Sequence, residues 1–182
     1  MFLAIAIECN SLRDFLEHWS AKYPDPSRRD TGLYDPYVGK PLTEESRRKL
    51  FEWKNGSRLS DGKSKSVEAH YPLSPPPGEE LASKYLDARA DGGAIWNIFY
   101  MHCVAPQMWP IFDQHTFRAM SFMKTGAIEE IPSAKAKIYE IYKDEYVPFV
   151  NTLAADQRTI DKALYTFGQF LKIVQRYRVG CR

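Results

Sequence analysis

The chain has 182 residues, a net charge of +2, 44% apolar and 14% aromatic residues. That is ordinary globular composition for one domain, or for two small lobes on one core. It excludes a disordered chain and a histone-like coating of DNA by bulk charge, and leaves open a local basic patch.

The longest clean apolar run, Phe2 to Ile7, is too short to span a bilayer and lacks the positive flank of a signal peptide. The expectation is a soluble cytoplasmic protein with no membrane partner. Cys9, Cys103 and Cys181 are far apart and odd in number, which argues against a disulfide framework. Three thiolates cannot supply four-cysteine zinc or iron–sulfur ligation.

Ser11 and Asp14 read as a capping box before Leu12, Phe15, Leu16 and Trp19, on a first helix ending near Tyr23-Pro24. Residues 24–41, with four prolines and two glycines, read as a loop. Thr43 caps a second helix with Glu44 and Glu45 in its first turn and Asn55-Gly56 at its end. Lys54, Arg58, Lys63 and Lys65 among Gly and Ser suggest a flexible basic loop over 54–65. Pro75-Pro76-Pro77 stiffens a connector, and a short helix follows from Glu79 to about Ala88.

Ala94 to Val104 is apolar nearly all round, as in a central, buried helix. Asp113 opens a further helix to Met123, which Gly126 closes. Ser133 caps the next, whose stripe is Ile138, Tyr142, Tyr146, Phe149 and Leu153, with a bend at Pro148. The last helix carries Ile160, Leu164, Phe167, Leu171 and Val174. No run alternates convincingly. The fold is expected to be all-α, a compact single domain over 1–182 with seven to nine helices. Its helical core covers about 79–175, with the N-terminal helices and basic loop of 1–78 packed on it.

Trp109-Pro110-Ile111-Phe112-Asp113-Gln114-His115-Thr116-Phe117-Arg118 is the most informative string. A carboxylate at a helix start accepts backbone N–H groups, feels the positive end of the dipole and stays ionised. Beside a deoxyribose, it would stabilise the cationic sugar that forms as a base departs. By itself, an Asp before a helix is most often a plain N-cap, and only its flanks raise the functional reading to parity.

Together with Gly92-Gly93-Ala94-Ile95-Trp96, the string resembles the helix-hairpin-helix DNA glycosylase superfamily over residues 88–123. Members carry an apolar stretch, then the catalytic Asp, His or Asn two residues on, and a basic residue on the following helix. Asp113, His115 and Arg118 match in order and spacing. The hairpin turn departs from the family: Ala90-Asp91-Gly92-Gly93 replaces a Gly-apolar-Gly turn. The run to the Asp is also longer by about one helical turn.

The resemblance implies a glycosylase-like helical fold, with two lobes flanking a cleft as a compatible arrangement. It implies Asp113 as the catalytic residue, and Gly92, Gly93, His115 and Arg118 as fold supports or phosphate contacts. The lysine that cuts the strand in bifunctional members is missing between Lys84 and Asp113. A monofunctional enzyme without lyase activity or iron–sulfur cluster follows, needing no cofactor. Its partner is DNA with a flipped-out base, and its product is an abasic site. Damaged bases and hypermodified pyrimidines of phage DNA, the latter in antiviral defence, are both admissible substrates.

Of Trp53, Trp96, Tyr100, Trp109 and Phe112, most suit a core. Trp53 and Trp109 border loops and are the candidates for stacking on an everted base. Lys54, Asn55, Arg58, Lys63 and Lys65 suit phosphate contacts, and equally a solvated basic face. Arg176, Arg178 and Arg182 read as a solvated tail. His102, Cys103, Asp113 and His115 fit no zinc spacing, and no metal is expected. No P-loop, nucleophile elbow or dinucleotide fingerprint occurs. Two non-catalytic alternatives remain: a helical DNA-binding module and a protein–protein adaptor.

Overall fold

The structure is a computed structural model that describes residues 9–24 and 30–179, with side chains to 175. The run Phe2–Ile7, Cys181 and the side chains of Arg176, Arg178 and Arg182 lie outside the described residues. Among the described residues the protein is all-α, with nine α-helices and no strand. None of those helices is long and apolar enough to cross a membrane.

The helices are α1 (Leu12–Ala21), α2 (Glu44–Asn55), α3 (Asp61–His70), α4 (Gly78–Tyr85), α5 (Ala94–Val104), α6 (Gln114–Thr125), α7 (Lys135–Ile141), α8 (Val147–Asn151) and α9 (Gln157–Val179). Single π-helical turns lie at Asp30–Tyr34 and Tyr142–Tyr146. One hydrophobic core runs from Phe15 of α1 to Leu171 of α9.

α5 is the central helix. Ile98, Phe99, Tyr100, Met101, His102 and Cys103 are all buried, so it has no solvent face, as its composition predicts. α9 packs against α1 and α6 through the stripe Ile160, Leu164, Phe167 and Leu171. Phe167 joins all three helices. Its ring lies 5.0 Å from Phe15 and Trp19 of α1 and 5.7 Å from Phe122 of α6. Gly168 makes the α6–α9 crossing close: a Cβ there would run into the His115 backbone.

The local signals at several helix ends hold. Thr43 and Ser46 form a reciprocal capping box on α2, and Gly56 closes it in the left-handed region at φ 82°. Gly126 closes α6 in the same way. Four readings need correction. The tract 54–65 is not a flexible loop: Lys54 and Asn55 end α2, while Lys63 and Lys65 lie on α3. α3 is polar nearly all round and is anchored by Val67, with Leu59 buried just ahead of it. Its weak apolar period hides it.

The 24–41 segment contains the π-turn at Asp30–Tyr34, which buries Asp30 and Tyr34. Ser133 does not cap α7; Ala134 occupies that position without a side-chain bond. The irregularity expected at Pro148 falls one turn earlier. Pro148 has no N–H for the carbonyl of Asp144, and its ring crowds that carbonyl. The chain widens into the π-turn Tyr142–Tyr146, in which the Val147 N–H reaches back to the Tyr142 carbonyl.

Candidate active site

The segment leading to Asp113 is held carbonyl by carbonyl. Tyr142 and Tyr146, turned inward by their π-turn and fully buried, donate their hydroxyls to Pro110 O at 3.0 Å and Ile111 O at 2.8 Å. Lys54 Nζ reaches Phe112 O at 3.5 Å. The next residue is Asp113 itself. Its Oδ1 accepts the N–H groups of His115 (2.8 Å) and Thr116 (3.1 Å), and the Thr116 hydroxyl accepts the Asp113 N–H at 2.9 Å. This is a complete capping box.

The other carboxylate oxygen, Oδ2, faces Lys54 Nζ at 3.1 Å. The Lys54 side chain is 10% exposed and that of Asp113 is 21% exposed. Burial would raise the Asp113 pKa. The Lys54 charge and the Thr116 N–H outweigh it, and the carboxyl titrates below its ordinary value. Asp113 is therefore an ionised carboxylate with one oxygen fixed to the backbone and the other to a single cation. The Lys54 ammonium also lies 5.6 Å from the Phe99 ring centre.

Beside Lys54 stands a wall of rings closed by a buried acid. Trp53 packs 4.3 Å from Tyr34 and 5.8 Å from Phe99. Its indole N–H donates to Asp30 Oδ1 at 2.7 Å. Asp30 Oδ2 takes a guanidinium N–H of Arg158, whose centre lies 4.5 Å over the Tyr34 ring. Tyr34 in turn donates its hydroxyl to His102 Nε2 at 2.6 Å, and His102 Nδ1 donates to Trp109 O at 2.7 Å. Burial pushes the His102 pKa down to about 3, so the ring is neutral and its tautomer is set by the Trp109 carbonyl. Trp53 is thus built into this wall. Trp109 is half-buried beside Tyr142 and enters the network through its backbone.

The remaining sequence candidates divide. Lys54 turns inward, whereas Arg58, Lys63 and Lys65 are exposed around the α2–α3 junction. Lys63 Nζ holds Asn55 Oδ1 at 2.7 Å, and Asn55 Nδ2 holds the carbonyl of Ser57. Arg118 is buried at 1% exposure, with its guanidinium committed to Glu130 at 2.8 Å and to Gly168 O at 3.2 Å. Of its two anticipated roles, this geometry serves the support of the fold and offers no surface for a phosphate. His115 is half-buried against Tyr165, its ring 5.0 Å away.

Gly92 and Gly93 are exposed in the turn between α4 and α5. Gly92 has φ 79°, and a Cβ there would stand 2.5 Å from the Tyr71 hydroxyl and 2.7 Å from Asn97 Oδ1. Both the left-handed backbone and the crowding demand glycine. Buried Asn97 ties the turn down through Asp91 O (2.9 Å) and the Tyr139 hydroxyl (2.8 Å). Lys135 Nζ caps the carbonyls of Ala90 and Gly92.

A surface cleft of about 570 Å³ between α2 and α3, lined by Glu44, Arg47, Arg48, Leu59, Val67 and Glu68 among others, contains none of the candidate residues. Among the described residues, no three His, Cys, Asp or Glu side chains come together as metal ligands. Sequence reasoning missed Asp30, Tyr34, Lys135, Arg158, Asp161 and Gly168. Asp161 carries a legible signal, an acid on the apolar face of the α9 stripe directly after Ile160. The pairing of Asp30 with Arg158 spans 128 residues and carries no local trace. Compared with protein-family models, curated proteins and solved structures, the chain has no match in any of the three.

Proposed function

We propose that the protein is a DNA N-glycosylase that hydrolyses the bond between a modified or damaged base and deoxyribose. The observation that carries this reading is the Lys54–Asp113 pair at the head of α6. It is an ionised carboxylate held by two backbone N–H groups and an ammonium, with 21% of its side chain exposed. Such a group stabilises an oxocarbenium-like sugar as the base leaves and orients the incoming water. Preorganised charge of this kind is worth about 10²–10³ in rate. The motif resemblance around Asp113 adds to this reading, as does the α4–α5 hairpin. Its exposed Gly92-Gly93 turn opens α5 without a side-chain cap. The Lys135 ammonium on that turn supplies a positive charge suited to a phosphate. In this reading α4 and α5 are the hairpin of a glycosylase-like fold, and Arg58, Lys63 and Lys65 follow the DNA backbone.

The expected reaction ends at the abasic site. Lys54 is an ammonium engaged by Asp113, and its role is to hold that carboxylate ionised and in place. The test is abasic-site formation, read by alkali cleavage, on DNAs carrying damaged, mismatched or phage-type modified bases. Wild type and Asp113→Asn run side by side, with borohydride present in a parallel set. Release by wild type alone supports the proposal. A borohydride-trapped adduct lost in Lys54→Ala would turn the enzyme into a lyase. DNA binding without release from any substrate would leave a non-catalytic binding module. Equal release by both proteins would place the essential acid elsewhere.

A further inference from the structure

The cleft between α2 and α3 holds about 570 Å³ and shares no residue with the candidate active site. That volume falls within the usual range of small-molecule sites, roughly 300–1,000 Å³. The buried residues of its lining form a floor. Two of them are apolar, Leu59 at 6% and Val67 at 4% exposure, and the third is Arg47 at 8%.

Arg47 is the unusual member. Its Nη1 donates to the carbonyl of Tyr71, the C-cap residue of α3, at 2.7 Å. A carbonyl carries only partial charge, and among the described residues no carboxylate pairs with Arg47. A buried cation without a counter-charge is costly, and the guanidinium fork has donors to spare.

The rim adds charges of both signs. Glu44 and Arg48 stand on α2 and Glu68 on α3, all exposed, and none has an ion-pair partner among the described residues. Glu45, by contrast, is held by Lys49 at 2.8 Å. Glu44 and Arg48 are one helical turn apart, at a spacing that favours pairing, and still do not meet. Opposite charges therefore face one opening from two helices without closing on each other.

We propose that this cleft binds a small zwitterion with an apolar side chain, of the class of short peptides and α-amino acids. The carboxylate of the ligand lies on Arg47 and Arg48, its ammonium on Glu68 and Glu44, and its hydrocarbon on Leu59 and Val67. A guanidinium takes a carboxylate through two parallel N–H bonds, and at the buried floor such bonds are stronger than in water. Arg48 and Glu68 do not reach each other, so a dipeptide, with its charged ends apart, spans them better than a free amino acid. The cleft takes such a ligand whether or not the protein cleaves DNA.

The experiment titrates the full chain at low salt, by calorimetry, with leucyl-leucine, leucine, N-acetyl-leucyl-leucine and leucyl-leucine amide. The methyl resonances of Leu59 and Val67 are followed in parallel. Leucyl-leucine is expected to bind and to shift both methyl groups. Blocking either end should weaken it about tenfold or more, as should Arg48→Gln or Glu68→Gln, two exposed positions at which folding is preserved. Leucine binding as tightly as the dipeptide would support the same site and assign it to free amino acids.

No heat and no methyl shift with either zwitterion up to about 10 mM overturns the proposal. Binding that survives both substitutions overturns it too, as does a blocked dipeptide that binds as well as the free one.

Discussion

At the start of α6, Asp113 accepts two backbone N–H groups and a lysine, and the residues before it hang by their carbonyls from Tyr142 and Tyr146. At the start of α5, Gly93 has no side chain to offer, and the turn ahead of it is exposed. The first helix start is saturated, and the second leaves its early N–H groups without a side-chain cap. A helix start whose donors are satisfied internally holds a charge in a fixed place. One whose donors lack such a cap is suited to take a phosphate from outside. The Gly92 turn is nevertheless rigid, because Asn97 and Lys135 hold it from below.

Mutations separate the two starts. Asp113→Ala removes the cap and strands a largely buried ammonium, and is expected to cost about 4 kcal/mol in urea unfolding. Asp113→Asn keeps the cap and is expected to lose less than half of that, while base release falls about a thousandfold. A similar stability loss in both variants would mean that the cap contributes little and the Lys54 pair nearly all of it. Gly168→Ala drives a methyl group into the His115 backbone and pushes α6 off α9. About 3 kcal/mol of stability should be lost, together with activity, since the head of α6 moves with it.

At the α5 start, Gly92→Ala meets the Tyr71 hydroxyl and Asn97 Oδ1 in a left-handed backbone. About 2 kcal/mol is the expected loss on chemical denaturation. The smallest effect belongs to Lys135→Ala. It should leave folding within about 1 kcal/mol and weaken DNA binding severalfold, lowering the salt dependence by about one counterion. An unaltered salt slope would remove the hairpin from the proposed DNA interface.

Legibility in the sequence followed the range of the interaction. The Asp113 cap, the Gly56 and Gly126 stops and the α9 stripe all depend on neighbours within a few residues, and all were readable. α3 was not, because a helix with little more than Val67 to bury has almost no apolar period. The Lys54–Asp113 pair joins residues 59 apart, so no pattern local to the hairpin encodes it. Arg118 carried the right spacing, but its burial and its pairing with Glu130 were set by how α6 lies on α9.

The sequence alone determined an all-helical chain, the central position of α5 and an ionisable acid at the head of α6, since helix period and capping are encoded by residues adjacent in the chain. Tertiary structure alone decided which charges meet. It turned Lys54 inward while Lys63 stayed outside, and it sealed Asp30 against Arg158. It also buried Asp161 with one carboxyl oxygen lacking a partner among the described residues, because burial and pairing depend on how distant helices pack.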